Sequence, residues 1–111
     1  MWSLFKSKIR GSIRSPKWKS VRKSHLIKQP SCMVCGSSIK PEVHHIIPVH
    51  VDASKELDLN NLITLCDQYC HFIFGHLMNW ELYNSNIIED AKIFNNKIYQ
   101  AKKVRDEKKR M

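Results

Sequence analysis

Apolar residues follow two different rhythms along this chain. From Asn86 onward, Ile87, Ala91, Phe94, Ile98 and Ala101 recur every three or four positions, which predicts an amphipathic helix running to about Arg110. Asn86 and Glu89 have capping-box spacing at its start, and the charged stretch "KKVRDEKKR" beyond Ala101 is expected to fray. A second helix is predicted from Ser15 as N-cap and Pro16 as first helical residue to about Lys28, with Trp18, Val21 and His25 on one face. Two short apolar runs, residues 42–49 and "NLITLC" at 61–66, predict strands separated by a polar loop over 50–60. The segment from Tyr69 through "CHFIFGHLMNWELY" has the length and apolar content of a helix, with Gly75 as its weak point. Near the start, Trp2, Phe5 and Ile9 share a helical stripe that Gly11 and Ser12 interrupt. The pattern is that of a single α+β domain over 15–85, with a weakly ordered basic segment over 1–14 and a C-terminal helix over 86–111.

Inside the first predicted strand the stretch "VHHIIPVH" sets His44 beside His45. Side chains alternate faces along a strand, so these two rings are expected on opposite sides and in different roles.

Charge is distributed unevenly. The 111 residues carry 19 Lys and Arg against 10 Asp and Glu, and every acidic residue lies at or after Glu42. Ten basic side chains and no carboxylate therefore occupy the first forty residues. A polyanionic partner follows, nucleic acid before an anionic membrane, with Lys17, Lys19, Arg22 and Lys23 on the outer face of the first long helix as the expected DNA contacts. A basic face kept only for solubility is the bland alternative. No run of eighteen apolar residues exists, so no transmembrane helix is expected. The opening "MWSLFKSKIR" lacks the apolar core of a secretory signal, which points to a reducing, cytoplasmic setting, although the acid-free first thirty residues also fit a mitochondrial presequence by composition.

Four cysteines add a constraint that periodicity does not carry. Cys32 and Cys35 form a C-x-x-C pair, and Cys66 and Cys70 a C-x-x-x-C pair, each short enough to bring two sulfurs to one metal. A tetrahedral structural Zn²⁺ is the expectation, with two disulfides or buried free thiols as alternatives.

The order His44, His45, Asn61, His71, set inside "CMVCG", "EVHHIIP", "NLITLC" and "CHFIFGH", resembles the HNH endonucleases over roughly Trp18 to Trp80, and especially the small free-standing members encoded by bacteriophages. That resemblance implies a ββα-metal core in which two strands and a helix hold one divalent cation, Mg²⁺, Mn²⁺ or another transition metal. It implies that His45 is the general base, that His44 and His71 bind the cation, and that Asn61 braces the loop and orients the base. Two departures stand out. Relatives often have Asp at the position of His44, and the second cysteine pair is one residue longer than usual. His76 is expected as a third ligand, against the objection that residues five apart on an ideal α-helix differ by about 140° in direction. Gly75 is expected to distort the helix and swing His76 back toward the cation. His25 and His50 are expected to be structural.

Two functions from different classes follow. One is metal-dependent hydrolysis of DNA, nicking or cutting both strands, and leaving 5′-phosphate and 3′-hydroxyl ends. The other is a non-catalytic, zinc-stabilised DNA-binding or packaging-accessory module, for which the four cysteines alone would suffice. Some phage proteins of this family act beside packaging machinery, which no residue here specifies.

Overall fold

Continuous apolar character makes "LITLC" the centre of the molecule. In a computed structural model, which describes residues 14–110, Leu62–Cys66 form a strand with every residue buried (β2), paired antiparallel with Pro41–His45 (β1). His45 lies opposite Leu62 and His44 opposite Ile63. Among the described residues the sheet has two strands, too few to be stable in water without cover on both faces.

One face is covered by helix α1, Trp18–Lys28. Its C-terminal neighbour Gln29 holds Thr64 of β2 through two bonds, Thr64 N to Gln29 Oε1 at 2.8 Å and Thr64 Oγ1 to Gln29 O at 2.6 Å. On this face His25 is buried with Nε2 3.2 Å from Gln29 Oε1, the structural role expected of it. Helix α1 starts two residues later than the sequence pattern predicts. Ser15 and Pro16 form a turn instead, closed by Trp18 N to Ser15 O at 3.0 Å.

The other face is covered by the segment His71–Gly75, and here the structure departs from expectation. The sequence pattern predicts a helix from Tyr69 to about Tyr83, but only one turn forms and it is a π turn, marked by His76 N to His71 O at 3.1 Å. Leu77 and Met78 follow with φ of 55° and 62°, left-handed values that end the helix. Asn84 then takes up the loose backbone: its N–H donates to Gly75 O at 3.0 Å and its Nδ2 to Phe74 O at 3.1 Å.

Helix α2, Ile87–Arg110, packs behind this turn through Ile87, Ala91 and the Phe94–Phe74 ring contact at 4.8 Å. The capping exchange at its start involves Asn84, Asn86 and Asp90, while Glu89 pairs with Lys92 at 3.8 Å. The helix continues to Arg110 where the charge pattern predicts fraying, although every residue after Ile98 is exposed. With 24 residues it is about 36 Å long, which accounts for much of the 56 Å long axis. Strand β1 is shorter than the predicted 42–49, because the chain turns after His45 and Val51 N reaches back to Pro48 O at 2.9 Å. The expectation of weak order over 1–14 falls, except for Arg14, outside the described residues. Among the described residues no helix is long and apolar enough to cross a membrane.

Candidate metal centres and cleft

The four cysteines converge. Their sulfurs lie within 4.8 Å of one another, Cys35 Sγ being 3.7 Å from Cys66 Sγ, and no disulfide joins them. Each pair is shaped by its backbone. The first knuckle closes with Gly36 N to Cys32 O at 2.9 Å and Cys32 N to Ser37 O at 2.8 Å, and Gly36 needs its φ of 80° to make that return. Met33 N to Thr64 O at 3.0 Å ties it to β2. The second pair straddles the end of β2, where Cys70 N points at Cys66 Sγ across 3.4 Å.

Burial works against a thiolate at Cys66, yet hydrogen bonds from the N–H groups of Cys70 and Tyr69 and from the thiols of Cys70 and Cys35 together outweigh it and bring this thiol down to about 7. Burial pushes Cys70 and Cys35 up. One sulfur prepared as an anion beside others that need a cation to ionise is the chemistry of a zinc ligand set. This four-cysteine cluster can hold a zinc ion, and it would clamp the chain before β1 to the chain after β2.

A second cluster sits on the π-turn face of the sheet. His44, His71 and His76 each bring one ring nitrogen within 4.8 Å of the others, and their ring centroids stand 4.9, 5.0 and 5.0 Å apart. All three residues are buried. The five-residue spacing that disfavours a shared face on an α-helix suits a π turn, whose hydrogen bond joins residues five apart. His76 Nδ1 lies 2.8 Å from Leu82 O. A carbonyl only accepts, so Nδ1 carries the hydrogen and the neutral ring's Nε2 bears the lone pair. A ring bonded to a backbone carbonyl before the last helix is what a structural His76 is expected to show, and it is present; the same bond also sets the tautomer a ligand requires, so it fits both roles.

Gly75 also serves the cluster in a way the sequence pattern does not suggest. A Cβ there would stand 3.2 Å from His44 Cε1, 3.3 Å from His44 Nε2 and 3.1 Å from Leu65 Cδ1. The left-handed backbone falls at Leu77 and Met78 instead. Gly75 makes room for His44, and it is the last residue of the distorted turn that brings His76 to the cluster.

His45 leaves β1 on the opposite face from His44, toward α1. Its ring lies 4.5 Å from that of Trp18, its Nε2 is 2.9 Å from Glu56 O and its Nδ1 is 3.3 Å from Arg14 Nη1. The carbonyl again fixes the tautomer: Nε2 donates, and Nδ1 bears the lone pair. The residue is only 7% exposed, although it lies on the side of the strand away from the cluster. Trp18 and Arg14 lie against it.

Asn61 stands behind this arrangement. Its Oδ1 accepts from Ile47 N at 2.9 Å, and its Nδ2 donates to Ile47 O at 3.0 Å and Lys55 O at 3.2 Å. The loop between the strands is pinned next to Glu56, whose carbonyl holds His45.

Both histidine faces open into one cleft of about 160 Å³, lined among others by Arg14, Trp18, Arg22, His44, His45 and His76. His50 is exposed at its rim. Lys17, Lys19 and Lys23 project from α1 and the turn before it into solvent, whereas Arg22, on the same largely outer face, is half-buried and turned to Glu42 at 4.0 Å. Sequence reasoning missed Arg14 and Glu56. Neither belongs to a spaced motif, and both act across long stretches of chain.

Residues 32–73 match the family model of HNH endonuclease. This chain carries an HNH domain. The matched span holds the four cysteines, His44, His45, Asn61 and His71, on a small α+β frame with a two-stranded antiparallel sheet. His76 and Arg14 lie outside it, so the HNH match bears on neither. No curated protein and no solved structure matched the chain.

Proposed function

We propose that this HNH protein is a metal-dependent endonuclease that hydrolyses DNA phosphodiester bonds, leaving 5′-phosphate and 3′-hydroxyl ends. The observation that carries this reading is the pair His44 and His45, adjacent in β1 and opposed across it: one ring joins a three-imidazole cluster, and the other presents a tautomer suited to accept a proton in the same cleft.

Glu56 O fixes Nε2 of His45 as the donor, so Nδ1 is the atom that takes the proton from an attacking water. Asn61 keeps that carbonyl in place by holding Lys55 O and both backbone groups of Ile47. His44, His71 and His76 would hold the divalent cation, which when bound would polarise a phosphate oxygen and stabilise the departing 3′ oxygen. An all-imidazole set favours Ni²⁺ or Zn²⁺ over Mg²⁺, which prefers oxygen, and Mn²⁺, the weakest of the first-row divalent ions at such a set, serves as a probe that does not displace zinc from thiolates. Cys32, Cys35, Cys66 and Cys70 would carry a structural zinc. Lys17, Lys19 and Lys23 offer phosphate contacts outside the cleft, with Arg22 nearer its mouth.

Plasmid nicking tests this directly. Wild type with Mn²⁺ should convert supercoiled DNA, and His45→Ala should not, while the variant keeps its zinc and its DNA affinity. Wild-type turnover by His45→Ala would refute the assignment. A protein that binds DNA yet never cuts it, with any divalent ion, would favour the non-catalytic zinc module.

A further inference from the structure

Residues Arg14 to Trp18 form a strap beside the cleft, which Arg14 and Trp18 line, and its anchor reaches far along the chain. Ser15 N donates to Glu56 Oε2 at 2.7 Å, and Glu56 is a buried carboxylate, 7% exposed. The same residue's carbonyl holds His45. Glu56 therefore fixes the strap with its side chain and the histidine with its backbone, so the two keep a common frame.

Within that frame Arg14 folds back over Trp18, its guanidinium carbon 4.7 Å from the ring centroid, and Trp18 lies on His45. Arg14 Nη1 reaches His45 Nδ1 at 3.3 Å. A guanidinium only donates, so it occupies the lone pair that the proposed reaction needs. That bond is long, close to the limit for its kind. A phosphate oxygen would compete well for the same donor, since charge-assisted bonds to phosphate are shorter and roughly twice as strong, and the guanidinium fork matches two oxygens at once. Electrostatics point the same way. Burial disfavours the cation, with Glu56 the opposing influence, and the cleft also holds Arg22 and the cluster that would bind a divalent ion. Glu42 and Glu81 also line the cleft and balance the two arginines, so the excess positive charge that would receive an anion comes with the divalent ion.

We propose that Arg14 is the clamp for the scissile phosphate: it rests on His45 Nδ1 when the cleft is empty and transfers to a phosphate oxygen when a phosphodiester enters, releasing the lone pair for water. This inference rests on the reading of His45 as general base. It makes Arg14 a substrate-binding residue, held in reserve by the group it later releases.

The test measures Mn²⁺-supported cleavage of duplex DNA and of bis(p-nitrophenyl) phosphate, a diester with no further DNA contacts, by wild type, Arg14→Ala, Arg14→Met, Arg14→Lys and His45→Ala. Zinc content and thermal melting are measured on each. Arg14→Ala should show a drop of about 100-fold in kcat on both substrates, the size typical of removing one preorganised donor from a transition state. Arg14→Met, which keeps a chain over Trp18 without the charge, should be as poor, and Arg14→Lys should recover part of the activity. Activity of Arg14→Ala at or above wild type would overturn the clamp and leave the arginine as a cap on His45. Recovery by Arg14→Met, or a defect on DNA that vanishes on the small diester, would overturn it equally. If His45→Ala cleaves like wild type, the base assignment fails; if His45→Ala is inactive and Arg14→Ala is not, only the clamp fails.

Discussion

Two imidazoles in the cleft are given their tautomers by backbone carbonyls, Leu82 O for His76 and Glu56 O for His45. Identity of the side chain is thus only half of what a site residue needs. For His76 the consequence is measurable: Mn²⁺ titrated into zinc-loaded His76→Ala should bind about 10-fold more weakly than to wild type, or worse, with melting little changed. Unchanged affinity by calorimetry would remove His76 from the ligand set. Asn61 carries a different burden. Asn61→Ala strips the partners from Ile47 N, Ile47 O and Lys55 O, and should lower stability by about 1–3 kcal/mol in urea unfolding, because groups buried without partners cost that much. Cleavage should fall as well, since Glu56 O, which orients His45, follows the loosened residue. Full stability in this variant would mean that the loop is held elsewhere.

At the level of elements, the π turn decides which histidines meet. Its i to i+5 bond sets His71 and His76 together, and Gly75 within it lets His44 approach from β1. A methyl at Gly75 would press on a ring atom of His44 and on Leu65, both confined by the core. Gly75→Ala should therefore weaken binding of the cleft cation while leaving zinc content unchanged, as read by metal analysis beside Mn²⁺ titration. Equal Mn²⁺ affinity in the two proteins would show that the cluster tolerates the shift. The cysteine knuckles should respond to acid. Zinc displaces protons from thiols, and burial holds Cys35 and Cys70 in the protonated form, so affinity measured by chelator competition should fall as pH drops. Cys66, near 7, would lose its head start as the pH falls below that value.

For the whole molecule, a two-stranded sheet and one small core leave little margin without metal. Cys32→Ser and Cys66→Ser should yield protein that is unfolded or aggregated, because zinc binding of roughly 10–16 kcal/mol is comparable to the stability of an entire domain. Folded, reduced protein without zinc would contradict this. Charge also acts at this scale. DNA affinity should fall log-linearly with salt, and neutralising Lys17, Lys19 and Lys23 together should lessen the slope by about one for each phosphate no longer neutralised. Arg22 belongs to a separate test, since it is turned toward Glu42 at the cleft.

Much of this arrangement is local enough to be legible in the chain. Paired cysteines announce themselves by spacing, "NLITLC" by its unbroken apolar run, α2 by its stripe, and the opposed faces of His44 and His45 by strand alternation. These features depend on neighbours a few residues apart, and a sequence records such neighbours directly. The π turn is different. Composition cannot distinguish a bond to the fifth residue from one to the fourth, and here the choice depends on Asn84 capping the turn's carbonyls and on His44 arriving from another strand. Arg14 on His45, 31 residues away, and Glu56 holding both His45 and the strap are set by how the chain returns on itself. The sequence by itself determined which residue types could bind metal and take a proton; tertiary structure decided which nitrogen of His45 and of His76 does so, because that depends on a carbonyl brought from elsewhere in the chain.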